Sequence, residues 1–408
     1  MKIAALLRPA ALALTLFAAA PLAQAGDGPV EKCLAASFYP DSSELMAHCE
    51  AAFNQSGVAD AVMAQVNLQL GQAIYFSHRP GIAIGFLNKA IALDPALAQA
   101  YRRRGWSFLM SGFGRQAMSD FTEYLALAPD DPDAKFAMVF AHDSLGQDCV
   151  KSAGEYEQIL RQHPQHHITR YNLATTYHCV DGNRKRQIGE YDRIVAAGRD
   201  EVKDITYYSR RDAAGLDFYA KVRDNRGTAY LDMGKGEEAL PDAEWLKENY
   251  PESSDGFLLS ALSLLHKGRD AEVLRDAEKA LSINPRLPDG QYAKALVLMR
   301  AKRDKELVDY ATSVMTSGVI HPHMPFIVYA RGVANKRLGN RDQAILDFNA
   351  AMLADDNSVR MVHTQLVQSG YMYGKDSEAG GARSPDFRSP EFINALAACT
   401  IDPECMNS

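Results

Sequence analysis

The chain has 408 residues, 47% of them hydrophobic and 23% charged, with 44 Lys and Arg against 51 Asp and Glu. That much apolar side chain demands a buried core and excludes a disordered polyelectrolyte. A formal charge of −7 without a long basic run excludes a surface built for nucleic acid or for an anionic membrane, since both need a concentrated positive field.

The first predicted element is an export leader. Met1 to Ala25 carries Lys2 and Arg8, an apolar stretch from Pro9 to Leu22 and the small-x-small ending Ala23, Gln24, Ala25, so residues 1–25 read as a signal peptide cleaved before Gly26. The apolar stretch is shorter than the ~20 residues of a spanning helix, and no Cys stands at the cleavage point to take a lipid. No later segment is long and apolar enough to span a bilayer, so the expectation is a periplasmic or secreted protein with no membrane span in the mature chain. All six Cys lie beyond the cleavage point, and an even number in an exported chain points to disulfides. Many connectivities are formally open; the grouping in sequence favours Cys33 with Cys49, Cys149 with Cys179, and Cys399 with Cys405. Residues 26–63, with Cys33 and Cys49, are expected to form an N-terminal helical cap.

A recurring unit follows. Pro95 to Pro129 is 34 residues, Pro129 to Pro164 is 35, and Pro251 to Pro285 is 34 again. In the clearest unit Tyr101, Gly105 and Phe108 share one face of a first helix, Gly112 and Gly114 mark a turn, and Ala117, Phe121 and Tyr124 share one face of a second helix that ends at Pro129. Gly105 and Ala117 let the two helices approach closely, and the proline stops the second one. Leu70, Gly71, Ala83, Leu87, Ala90 and Pro95 fit an earlier unit; Gly227, Tyr230, Gly234, Ala239, Ala243, Leu246 and Pro251 a later one. Phe257, Ala261, Gly268, Ala277, Ala280 and Pro285 continue it, and Gly332, Leu338, Gly339, Ala344, Phe348 and Ala351 form a last clear unit, with Asp356 where the proline would stand. Weaker units run from about Pro132 to Pro164, His167 to Gly198 and Pro288 to Gly318, and an Arg-Gly pair recurs at Arg104-Gly105, Arg226-Gly227 and Arg331-Gly332.

These residues resemble the tetratricopeptide repeat, with its large, small and aromatic positions at fixed offsets and its terminal proline. The resemblance implies an all-α, right-handed α-solenoid of about eight helix-turn-helix repeats with short disulfide-tied end segments. Repeats 1–4 occupy 64–198 and repeats 5–8 occupy 220–356. Between them, 199–219 is an insertion or connecting helix that holds Ile205, Tyr207, Tyr208, Arg210 and Arg211. A capping helix is expected at 357–373, a flexible linker at 374–390, and a C-terminal segment with Cys399 and Cys405 at 391–408. Stacked repeats set first helices side by side, which would bring the helix ends bearing Cys149 and Cys179 together.

The sequence holds no nucleophile with a base nearby, no Gly-rich phosphate loop and no zinc-protease helix, so neither an enzyme nor a cofactor is expected. His163, His166 and His167, and separately His321 and His323, are the metal-ligating types closest together, but no Cys or carboxylate completes a ligand set and a solvated connection explains the first group better. Asp130, Asp131 and Asp133 read as the start of a helix, where carboxylates suit the dipole. Members of the resembled family hold a peptide or a partner helix in a concave groove lined by first helices, and on this register the groove positions are Tyr75, Arg102, Trp106, Phe136, Phe140, Tyr171, Tyr292, Arg300 and Tyr329. Aromatics and Arg are where binding energy concentrates, although repeat junctions also bury aromatics. The basic and Asn constellation with which some cytosolic members clamp the carboxylate tail of heat-shock chaperones is not visible here. The reading is therefore a non-catalytic scaffold or adaptor for a protein or peptide partner in the cell envelope. The alternative is an exported binder of a small ligand, glycan or metal that uses the groove aromatics or the His groups.

Overall fold

The computed structural model describes residues 28–36, 42–180, 183–203, 205, 216–318 and 322–354, with Met361, Thr364, Leu366, Ala395, Leu396, Ala398 and Cys399 beyond them. The expected leader, the 374–390 linker, Cys405, most of the 357–373 capping helix and the middle of the 199–219 insertion lie outside the described residues. Two compact units divide the chain, Met1–Glu155 and Tyr156–Ser408.

The regular structure among the described residues is all helix. The first unit holds α1 (Pro29–Ala35), α2 (Ser42–Phe53), α3 (Asp60–Phe76), α4 (Pro80–Leu93), α5 (Ala98–Met110), α6 (Gly114–Leu127), α7 (Pro132–Ser144) and the start of α8 (Cys149–Gln162). In the second unit follow α9 (His167–Thr176), α10 (Arg184–Ala197), the single turn α11 (Arg199–Val202), α12 (Phe218–Asp232), α13 (Gly236–Asn249), α14 (Asp255–Leu264), α15 (Asp270–Ile283), α16 (Pro288–Arg300), α17 (Asp304–Thr316), α18 (Met324–Arg337) and α19 (Arg341–Ala354). From α3 onward the long helices succeed one another as first and second members of eight pairs, which is the expected repeat. None of the described helices is long and apolar enough to cross a membrane.

Local chemistry explains where the helices begin and stop. Pro80, Pro132 and Pro288 occupy first turns, where the missing N–H costs nothing. The Asp131 side chain caps α7 by accepting from the Asp133 N–H at 2.9 Å, so the acidic run does open a helix. In six of the eight pairs the connection closes the same way: the backbone N–H of Arg79, Phe113, Gln147, Lys235, Arg303 and Asn340 donates to the carbonyl five residues earlier, at 2.8–3.2 Å. The residue before that donor is left-handed, Gly112 at φ 84° and Gly234 at φ 70° for example, but Lys302 at φ 53° and His78 at φ 61° take the same conformation without being glycine.

A small residue on the first helix lets the second one close in. A Cβ on Gly71 would come 2.7 Å from Leu87, on Gly105 2.5 Å from Phe121, and on Gly332 2.8 Å from Phe348. Beside this apolar contact sits a polar one. Arg104 grips Asp120 through Nε (2.8 Å) and Nη2 (2.6 Å), Arg226 grips Asp242 at 2.8 and 2.7 Å, and Arg331 grips Asp347 at 3.1 and 2.6 Å. The remaining Nη1 of each reaches a second helix of the preceding pair: Asn88 on α4 (2.8 Å), Asp192 on α10 (2.8 Å) and Thr312 on α17 (3.0 Å). One guanidinium thus ties three helices. In α14 the Arg-Gly pair is replaced by Ser260-Ala261; Ser260 donates to Asp276 at 2.6 Å, and Lys247 of α13 supplies the cation at 3.0 Å. In α16 the cation is Lys294, which bonds Glu278 of α15 at 2.8 Å and lies 4.8 Å over the Tyr310 ring of α17.

The ends are closed covalently and by packing. A Cys33–Cys49 disulfide joins α1 to α2, and Val30, Leu45 and Ala52 pack with Val66, Leu70 and Ala73 of α3. Cys149, Cys179 and Cys399 are each disulfide-bonded as well, and no described Cys is a free thiol. At the other end Leu366, Ala395, Leu396 and Cys399 enter the core of the last pair, against Val328, Phe348 and Met352.

Two outcomes check this account. Asp242 is fully buried under Arg223 and Arg226, so Asp242→Ala, which takes from both cations the carboxylate they share, is expected to cost about 3 kcal/mol in urea unfolding, and a companion Arg226→Met to recover part of that loss. Lys302→Gly is expected to raise stability by about 0.5–1 kcal/mol by relieving the left-handed turn, read as a shift in urea midpoint at unchanged slope.

Candidate functional site

In the first unit the face shared by α3, α5 and α7 gathers five of the nine groove positions. Trp106 on α5 is half-buried, with its ring 5.3 Å from Phe121 of α6, 6.1 Å from Phe136 and 5.1 Å from Phe140 of α7. Phe136 is buried and Phe140 half-buried, 5.7 Å apart. Trp106 therefore serves two purposes: one edge fills the junction between pairs, and the rest stays on the surface beside Phe140. Arg102 crosses to α7 and pairs with Asp133 at 2.8 Å. Tyr75 is buried in the core between α3 and α4 with Leu68, Ala83 and Leu87, and its ring meets Phe76 edge-on at 5.3 Å.

In the second unit the remaining candidates do not form one patch. Tyr171 on α9 is buried between Tyr191 (6.0 Å) and Phe218 (5.4 Å), and its hydroxyl accepts from Asn225 of α12 at 2.8 Å. On α16, Tyr292 stacks on His323 at 4.9 Å and meets Phe326 of α18 edge-on at 4.8 Å, while His323 Nε2 lies 2.8 Å from Asp289. Tyr329 is buried between Phe326 and Phe348, and burial pushes its phenol up to about 12. Arg300 donates to the Leu265 carbonyl at the end of α14 (2.7 Å) and lies 3.5 Å from Asp270, so it caps a helix C-terminus. Arg337 repeats this one pair later, on the Met299 carbonyl (2.9 Å) and Asp304 (3.3 Å).

Sequence reasoning missed three members of these faces. Phe326 joins Tyr292 to Tyr329, and its position one turn before Tyr329 on α18 was the available signal. Arg103 and Phe76 are the others: the Arg103 guanidinium lies 5.0 Å over the Phe76 ring. Arg103 stands three residues before Trp106 and seven before Met110, the spacing of a single helix face.

Among the described residues no three His, Cys, Asp or Glu side chains are placed to hold an ion, and His321 lies outside them. His166 Nδ1 lies 2.6 Å from the Thr169 hydroxyl. His167 is buried, and neither ring nitrogen has a partner among the described residues. Burial holds its pKa below the ordinary 6.5, with the Arg170 charge and His166 acting in the same direction and Glu201 opposing. Above about pH 6.5 both folded and unfolded chains carry a neutral imidazole; below it the unfolded chain takes up a proton that the fold refuses, so stability falls on acidification. His167→Leu is expected to flatten the part of that loss that lies between about pH 7 and 5, measured by urea unfolding at each pH.

Residues 225–288, which cover the second half of α12 and all of α13, α14 and α15, match the family model of the tetratricopeptide repeat. None of the curated proteins compared with the chain matches it. Among solved structures the chain is similar to a tetratricopeptide repeat protein from Parabacteroides merdae, at 15% identity over 62% of this chain and 92% of that one, with a TM-score of 0.43. It is also similar to a chain of the APC/C hetero-tetramer Cut9-Hcn1 (14% identity, 62% and 48% of the two chains, TM-score 0.49) and to PilW, a widely conserved type IV pilus biogenesis factor (13% identity, 56% and 96%, TM-score 0.45).

Proposed function

We propose that the chain, whose residues 225–288 match the tetratricopeptide repeat, is a non-catalytic scaffold of the bacterial periplasm or cell envelope, and that it holds a peptide or partner protein against the aromatic face of α3, α5 and α7. The observation that carries this reading is the Trp106, Phe136, Phe140 cluster, in which two large rings stay half-exposed although the pair junction beneath them is already filled. Aromatic surface of that kind binds by desolvation and loses little side-chain entropy when covered. Tyr75, Tyr171, Tyr329 and Arg300 are occupied by packing or by helix capping, so the contact surface narrows to Arg102, Trp106 and Phe140, with Tyr292 as a half-buried ring of the second unit. The leader-like pattern of residues 1–25 and the absence of a free thiol among the described cysteines support the envelope assignment.

Capture of the tagged mature protein from the cell envelope after mild crosslinking tests this. One protein should be enriched by the native chain and fall at least tenfold with Phe140→Ala, whose thermal midpoint should stay within a few degrees of native. Equal enrichment by native and variant chains would remove the face from the reading.

A further inference from the structure

The turns inside the helix pairs follow one pattern in the second unit and another in the first. After the left-handed Gly234, Gly268, Lys302 and Gly339 the second unit has Lys235, Arg269, Arg303 and Asn340, and three residues on, in the first turn of the second helix, Glu238, Glu272, Glu306 and Gln343. An acid at that place suits a helix N-terminus, and two of the turns close it into an ion pair, Arg269 with Glu272 at 2.6 Å and Arg303 with Glu306 at 2.9 Å. In the first unit the same two places hold Arg79 and Ile82, Phe113 and Gln116, and Gln147 and Val150. All three acids are gone, and apolar side chains stand out instead: Ile82 is 54% exposed, Phe113 49%, Val150 64%, and Leu145, just before the left-handed Gly146, 55%. Phe113 and Leu145 lie together, since a Cβ on Gly114 would come 2.4 Å from Leu145, whose side chain therefore rests on the backbone directly after Phe113. The turn itself does not require them, because Lys235 and Arg303 close it with the same backbone hydrogen bond as Phe113. Exposed apolar side chains gathered on one edge, where a sister edge is charged, mark a contact surface.

The charges on this edge say what covers it. Arg79 and Arg115 are exposed, and neither side chain makes an ion pair or a hydrogen bond among the described residues. Asp148, three residues past Leu145 and also exposed, caps α8 with Oδ1 alone, which accepts from the N–H of Val150 at 2.8 Å and of Lys151 at 3.2 Å. Its Oδ2 is unspent. Lys151 lies 3.9 Å from Glu155, which also accepts from Gln147 at 3.0 Å. The edge thus carries an open cation next to Phe113 and an open carboxylate oxygen next to Leu145, and within one chain the two do not pair. A purely acidic or purely basic partner satisfies one of them; a surface that carries both beside apolar side chains satisfies both, and the chain itself is such a surface.

We infer that two copies of the chain join along this edge about a two-fold axis between the α5–α6 and α7–α8 turns, with Phe113 on the partner's Leu145 and Arg115 on the partner's Asp148, each contact made twice. The Trp106 and Phe140 face belongs to the first helices and is not used by this contact.

Sedimentation equilibrium of the full mature chain, from about 1 μM to about 0.1 mM, tests this. The native chain should show a reversible monomer–dimer equilibrium in that range. Phe113→Lys and Leu145→Lys give this edge the side chain that the second unit has in the same places, at Lys235 and Lys267. Each should keep the thermal midpoint within a few degrees of native and raise the dimer dissociation constant at least tenfold. Arg115→Gln and Asp148→Asn, the second of which keeps a capping side chain, should each weaken the dimer several-fold, and the double variant should be no weaker than either single one, because both lose the same contact. A native chain that stays monomeric throughout, a dimer that survives both lysine variants, or effects of Arg115→Gln and Asp148→Asn that multiply in the double variant overturn the inference. A monomer that floats with phosphatidylglycerol vesicles, and fails to do so as Phe113→Lys, assigns the edge to a lipid surface and overturns it as well.

Discussion

One guanidinium held by one buried carboxylate organises this protein. Arg104, Arg226 and Arg331 each close a helix pair upon an Asp sixteen residues later and use their last donor to reach the pair before. Hydrophobic contact is non-directional and would allow two helices to slide past each other by a turn. A bidentate fork is not so tolerant, since its two parallel hydrogen bonds fit one rotation and one height. The glycine after the arginine belongs to the same device, because only its missing side chain lets Phe121 or Phe348 come close enough for the carboxylate next to it to be gripped. Where the pair Arg-Gly is absent, the tie is rebuilt from other parts: Ser260 with Lys247 around Asp276, and Lys294 between Glu278 and the Tyr310 ring.

That substitution explains what could be read from the sequence and what could not. Gly105, Ala117, Phe121 and Pro129 are shape requirements of a close helix pair, so their spacing announces the fold directly. The Arg-Gly recurrence was visible too, but its partner aspartates were not, since nothing in a one-dimensional pattern says that Asp120 and Arg104 face each other. The unit from Pro288 to Gly318 reads as weak for a local reason: Lys302 stands in the left-handed turn where its neighbours have glycine, and Ala295 stands for the glycine of the first helix. Its backbone closes with the same hydrogen bond as in five of the other pairs. Packing elsewhere compensates for the missing signal, through Leu298, Leu307, Val314 and Ile327.

The candidate face was legible only in part, and the division follows physical lines. Register alone places a residue on the first-helix surface, but it does not say whether a neighbouring helix covers it. Tyr171 and Tyr329 occupy such positions and are nonetheless enclosed by aromatic rings, Tyr171 by Phe218 of the next pair and Tyr329 by Phe348 of its own. Arg300 looks like a contact residue by type and instead satisfies a carbonyl at a helix end. Arg103, by contrast, has Arg102 beside it in the expected position, and its guanidinium 5.0 Å over the Phe76 ring is visible only in three dimensions.

The last helix pair has a core that is not finished by its own sequence. Leu396 and Cys399 are inserted beside Phe348 and Met352, although α19 ends at Ala354. During synthesis this pair waits for residues made about forty positions after α19, a delay on the order of seconds at ribosomal rates. Through that interval Val328, Phe348 and Met352 present an uncovered apolar surface. The terminal pair is therefore the point at which a nascent chain is open to a holding chaperone or to a second nascent copy, and a stop or frameshift anywhere before residue 395 would make that transient exposure permanent.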